Sequence, residues 1–263
     1  MKLNIVPART GVLWVKLGMK TFFKQPLALA GLFFLFMAAM SVLSLIPVLG
    51  NVLALALLPG ATLGLMAATK EALKGKFPLP TVLLSAFRAG QSQLRAMLIL
   101  GLIYAVGFLL VLGISATVDG GKFARLYLLG SSISAEALQE GDFELAVLVA
   151  MAFYMPLSLL FWHAPALVHW YGISPVKSLF FSMVACMRNF WTFTVYSLAW
   201  LGTFLAMGLV VAIIAALAGS PELATSVMFP AAMMMAAMFF TSIYFTFEDC
   251  FDADGTPALV TKP

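Results

Sequence analysis

From Leu27 to Leu49 the chain carries no charged side chain. Wound as a helix, such a run spans the hydrocarbon of a bilayer, which takes about 20 residues. Lipid leaves a chain few options, because every backbone N–H and C=O must find its partner within the protein. A closed barrel would show segments of about ten residues alternating apolar and polar. Long unbroken apolar runs appear instead, so the expected class is an all-α integral membrane protein. Composition excludes the alternative: 63% of the 263 residues are hydrophobic and 10% charged, with a mean hydropathy of +1.04. A soluble domain carries roughly 25% charged residues.

Reading for apolar stretches places six spans in a single polytopic domain, 1–263, at 27–47, 52–69, 96–117, 145–164, 192–218 and 227–247. The first run follows a 26-residue basic region and shows no small-residue cleavage site, so it reads as an uncleaved span. Pro47-Val48-Leu49-Gly50-Asn51 is an uncharged turn, which makes the first two spans a tight hairpin. Basic residues set the orientation. Thirteen of the fifteen lie in the segments 1–26, 70–95 and 165–191 and in the tail. Only Lys122 and Arg125 fall on the other side. The bias holds only with six spans, and it places both termini in the cytoplasm of an inner membrane. Net charge +4 is therefore a topology signal, and no nucleic-acid reading surface accompanies it.

One unit recurs three times: an amphipathic segment followed by a transmembrane hairpin. The segments begin at Pro7, Pro78 and Pro175, and thirteen residues later stand Lys20-Thr21, Gln91-Ser92 and Arg188-Asn189. At an offset of 97, Pro59, Gly75, Pro78 and Ser85 match Pro156, Gly172, Pro175 and Ser182. Pro230 takes the corresponding place in the last span. In the first segment Lys16, Lys20 and Lys24 form one helical stripe, with Val12, Val15, Met19, Phe22 and Phe23 on the other side. Such a helix is expected in the headgroup plane, lysines toward anionic lipid. Arg88, Gln91 and Arg95 repeat the pattern on Val82, Leu83, Leu84 and Phe87. The third segment carries Lys177 and Arg188, and its alternative is a buried or re-entrant stretch. The candidate contacts for lipid or partner are thus Lys16, Lys20, Lys24, Arg88, Arg95 and Arg188.

Other candidates carry less. His163 and His169, six apart, point about 240° from each other on an ideal helix, unsuited to a shared metal. They read as interfacial, beside Trp162 and Trp170 in an aromatic belt. Met151/Met155, Met183/Met187 and Met234/Met238 have a spacing that could serve Cu(I), yet methionine also fills irregular packing gaps. Cys186 and Cys250 form no CxxC and read as reduced thiols. Asp119, Glu136, Glu140, Asp142 and Glu144 read as a solvated outer loop, with Ser134 capping a short helix that ends at Gly141. Glu248, Asp249, Asp252 and Asp254 form an acidic tail that can pair with the basic elbow helices. Small residues, Gly101 with Ala105 and Gly202 with Ala206, are expected to let helices approach closely. No charged residue lies at a span centre, which argues against a proton- or sodium-coupled carrier. No catalytic or cofactor motif is present.

The order of basic helix, Gln25-Pro26, span, Ile46-Pro47-Val48-Leu49-Gly50 turn, then Pro59-Gly60 leading to Gly64 resembles a proteobacterial family of six-span inner-membrane proteins. More distantly it is similar to the membrane domain preceding some glycerophosphodiester phosphodiesterases. The resemblance implies an inner-membrane location and six helices. The hydrolase domain of the second group has no counterpart here, so no catalytic residue carries over.

These features point to a non-enzymatic inner-membrane protein, without cofactor, acting through anionic headgroups or protein partners. The alternatives are a permease or channel for a neutral or amphiphilic solute, gated at the Pro-bent even spans, or an accessory subunit of a larger membrane complex. The architecture predicts that reporters fused at residue 80 and at the carboxyl end sit on one face of the membrane. Reporters on opposite faces would overturn it.

Overall fold

The structure, a computed structural model, describes residues 2–130 and 141–252. A two-residue strand β1 (Lys2–Leu3) leads to α1 (Thr10–Lys24), then to α2 (Pro26–Ser44) and α3 (Leu49–Leu73). A 3₁₀ turn at Pro80–Leu84 and the one-turn α4 (Ser85–Arg88) precede α5 (Gln91–Asp119) and the short α6 (Lys122–Leu129). Then come α7 (Gly141–Phe161), α8 (Ala164–Tyr171), α9 (Pro175–Arg188), α10 (Phe190–Leu217) and α11 (Pro221–Cys250). A second strand, β2 (Phe251–Asp252), pairs antiparallel with β1, Lys2 opposite Asp252 and Leu3 opposite Phe251.

Among the described residues six stretches are long and apolar enough to cross a bilayer: α2, α3, α5, α7 continued by α8, α10 and α11. The all-α membrane class and the six spans stand. Most helices outrun the apolar windows, as α5 does by starting at Gln91 where 96 was expected. Hydropathy marks only the greasy middle, while backbone bonding continues through the polar ends. The outward faces remain apolar: Leu205 is 66% exposed, Leu209 62% and Phe229 68%. Surfaces of this kind need lipid rather than water.

The chain forms two compact units: Met1–Phe34, Gly64–Leu83 and Ala185–Pro263 in the first, Leu35–Leu63 and Leu84–Val184 in the second. In the first, α10 and α11 pack as the third hairpin, and α1 lies against both. In the second, α5 packs along α7, with α6 and α8 at its sides. Gly101 of α5 has no room for a side chain, since a Cβ there would collide with the Ala56 carbonyl of α3. That close approach matches expectation. Gly202 and Ala206 do not: both are exposed, and nothing lies near Gly202.

The first elbow differs from the expected one. Its buried face is Thr10, Gly11, Trp14, Val15, Gly18, Thr21 and Phe22, while Val12 and Phe23 are exposed. This face docks on protein rather than facing lipid. Gly11 abuts the backbone of Thr192 and Tyr196 in α10, and Gly18 abuts Ser242 in α11. Trp14 fills the space between, its ring 5.4 Å from Phe193 and 5.9 Å from Tyr196. The second elbow is broken rather than continuous. Gly90, at φ 118°, separates α4 from α5, so Arg95 belongs to the spanning helix. The third elbow is the regular helix α9.

The repeat has a structural echo. Gly75 after α3 and Gly172 after α8 both take left-handed conformations, at φ 73° and 64°. Each ends a helix where a side chain would strain the backbone. Substituting Gly18 by Leu should force α1 off α11 and cost about 1–3 kcal/mol. Unchanged thermal unfolding of the G18L protein in detergent would refute this docking.

Candidate functional site

The six basic residues of interest are all exposed. Lys16, Lys20 and Lys24 line the free side of α1, opposite the face held by α10 and α11. Arg188 ends α9, Arg88 ends α4 and Arg95 stands one turn inside α5. Among the described residues none of these six side chains has a hydrogen-bond or ion-pair partner.

Arg95 differs from the others in its surroundings. It lines a cavity of about 640 Å³ within the second unit. The α5 wall presents Gln91, Ser92, Arg95 and Ile99, and across from it lie Val168 and Ile173. Sequence reasoning picked Arg95 for its charge but not the cavity, which depends on where the α8–α9 connection returns.

The first unit holds a buried polar knot at the ends of α1 and α11. The Trp14 indole N–H donates to Asp249 Oδ2 at 2.6 Å. Asn189 accepts from the Val6 N–H at 2.8 Å and donates to the carbonyls of Asn4 and Ala185, each at 3.0 Å. The Thr192 hydroxyl donates to the Val6 carbonyl at 2.8 Å. These bonds tie the amino-terminal segment to α9, α10 and α11. Asp249, in the last turn of α11, meets the first elbow, but not through the charge pairing expected of the acidic tail. It meets a buried indole, not a lysine, because the lysines face the other way. Asp254 lies outside the described residues.

In the second unit a hydroxyl repairs a broken helix. Between α7 and α8 the Ser182 Oγ–H donates to the Leu159 carbonyl at 2.7 Å and accepts from the His163 N–H at 2.9 Å. Leu159 and His163 are four apart, so Ser182 of α9 has inserted into the bond that an unbroken helix would make. Pro165 lacks an N–H for the Phe161 carbonyl, which keeps the break open. His163 is fully buried at this break and is no belt residue, correcting the interfacial expectation. His169 is half-buried, with its ring 6.3 Å from that of Trp170.

Other expected sites resolve into structural roles. Asp119 is buried, and its carboxylate accepts the N–H groups of Gly121 and Phe123 at 2.8 and 2.6 Å, capping α6. It is therefore no part of a solvated acidic face. Helix α6 itself, bracketed by glycines, was not anticipated. Asp142 and Glu144 are exposed in the first turn of α7. Ser134, Glu136 and Glu140 lie outside the described residues. Cys186 and Cys250 are buried and are not joined by a disulfide. Burial pushes the Cys186 thiol up to about 12, so it stays protonated and unreactive. Met151 and Met155 are each 64% exposed on the outer side of α7. Among the described residues no three His, Cys, Asp or Glu side chains come together as a metal site.

The chain is 39% identical, over 98% of its own length and 98% of the relative's, to a probable inner membrane protein of Burkholderia thailandensis. No family model matches it. No solved structure matches it.

The Trp14–Asp249 bond should register in a double-mutant cycle. Trp14→Phe leaves a buried carboxyl oxygen without its donor and should cost about 1–3 kcal/mol. With Asp249→Leu already in place the same change should cost less, giving a coupling of roughly 1 kcal/mol in detergent unfolding. Additive losses would show that the bond contributes nothing.

Proposed function

The chain belongs to the family of the probable inner membrane protein of Burkholderia thailandensis, and from that premise we propose a non-enzymatic role exerted through anionic lipid headgroups and protein partners. One observation carries this: Lys16, Lys20 and Lys24 form a free, exposed stripe on a helix whose other face is anchored in the bundle. A loose amphipathic arm would lose orientational freedom on meeting a membrane surface. Here α10 and α11 hold the stripe in place beforehand. Near an anionic leaflet each lysine contributes about 1 kcal/mol, fading within a Debye length of roughly 8–10 Å.

In this reading both termini lie in the cytoplasm, with the basic elbows on the anionic leaflet. The basic-residue bias supports that orientation. The β1–β2 pairing supports it too, since it brings the two ends of the described chain together in one unit. The likeness to the membrane domain of glycerophosphodiester phosphodiesterases rests on turns and prolines and adds no catalytic residue.

The test is charge reversal of the stripe in K16E/K20E/K24E, followed by extraction into polymer-bounded native discs. The ratio of phosphatidylglycerol to phosphatidylethanolamine around the protein should fall about twofold or more. Moderate salt should lower the wild-type ratio in the same direction. An unaltered lipid ratio in a folded variant would end this role for α1.

A further inference from the structure

We propose that the cavity beside Arg95 is a headgroup site for one anionic phospholipid, whose phosphate pairs with the Arg95 guanidinium. The inference rests on the lipid-contact reading above and narrows it to a built site in the second unit.

Size comes first. A volume of about 640 Å³ falls in the range of small-ligand pockets, roughly 300–1,000 Å³. The arrangement of its wall comes second. Gln91, Arg95 and Ile99 follow one another at four-residue spacing, so they form one stripe down α5. The stripe passes from amide to cation to hydrocarbon within two turns. Val168 and Ile173 continue the apolar part across the cavity, and Ser92 and Ser174 continue the polar part. Ile99 is 49% exposed, so the apolar end opens toward lipid. A soluble anion would gain nothing from that end, whereas a phospholipid has a polar head and a greasy stem in this order.

Charge comes third. Among the described residues Arg95 is the sole charged side chain lining the cavity, and none of them brings a carboxylate to it. Among the described residues it has no ion-pair partner. The planar guanidinium offers paired N–H donors that fit two phosphate oxygens. The side chains of Gln91, Ser92 and Ser174 supply neutral donors for the rest of a headgroup.

The experiment uses the full chain in mild detergent, mixed with equal amounts of phosphatidylglycerol and phosphatidylcholine and read by native mass spectrometry. Wild type should retain a single phosphatidylglycerol in preference to phosphatidylcholine. R95Q should retain it roughly tenfold less, and R95K should recover only part of the loss, because an ammonium keeps the charge but not the paired donors. A96F fills the cavity and leaves the charge in place. It should lower retention to a similar degree, and it decides the matter if R95Q does not fold. Inorganic phosphate should neither displace the lipid nor raise the melting temperature of wild type above that of R95Q. Displacement by phosphate would assign the site to a soluble anion and overturn the lipid inference.

The stripe variant K16E/K20E/K24E separates the two levels. It should keep the single bound lipid while losing the surrounding anionic annulus. If folded A96F and R95Q proteins both retain phosphatidylglycerol like wild type, the cavity site is wrong even where the stripe variant changes the annulus. If neither kind of variant alters bound lipid, both readings fall.

Discussion

In hydrocarbon no water stands ready to replace a missing hydrogen bond, so a break in a spanning helix needs a partner from elsewhere in the protein. A helix interrupted in lipid exposes carbonyls and N–H groups at a cost of several kcal/mol each. Side chains from neighbouring segments fill the gaps. Ser182 bridges Leu159 and His163 where α7 gives way to α8. Asn51 donates to the Leu128 carbonyl near the end of α6 at 2.6 Å. Asn189 does the same for the extended amino-terminal segment in the first unit. In each case the polar group lies far along the chain from the backbone it completes, so the repair also pins one segment to another.

The docking of α1 follows the same logic with packing added. Apolar side chains alone discriminate poorly between a protein face and a lipid face. Glycine at positions 11 and 18 lets backbones meet, and the buried indole–carboxylate bond makes the register specific. Because that side is committed to α10 and α11, the three lysines are left outward as a fixed charge pattern. Structure and proposed function therefore share one cause: the face that stabilises the helix determines the face that remains for lipid.

Spans, their number and the basic bias were legible because transfer into lipid depends on local composition. A run of about 20 apolar residues crosses the bilayer almost regardless of its neighbours. The repeat was legible for a related reason, since glycine at 75 and 172 answers a local backbone demand. The side of α1 that becomes buried was misread. Val12, Phe22 and Phe23 suggest one face by their hydrophobicity, whereas small residues at 10, 11, 18 and 21 mark the contact. His163 was misplaced because its neighbours Trp162 and Trp170 suggest an interface. Only the break held by Ser182 puts it inside.

By itself, then, the chain's sequence settled that it is a six-span helical membrane protein and where most of its charge lies along it. Partition between water and hydrocarbon acts residue by residue and needs no knowledge of distant partners. Tertiary structure alone decided which face of α1 is spent on packing, that Asp249 meets Trp14, and that Arg95 borders a cavity. Those outcomes depend on close approach between segments up to 235 positions apart, and no local pattern specifies which of many similar apolar faces will meet.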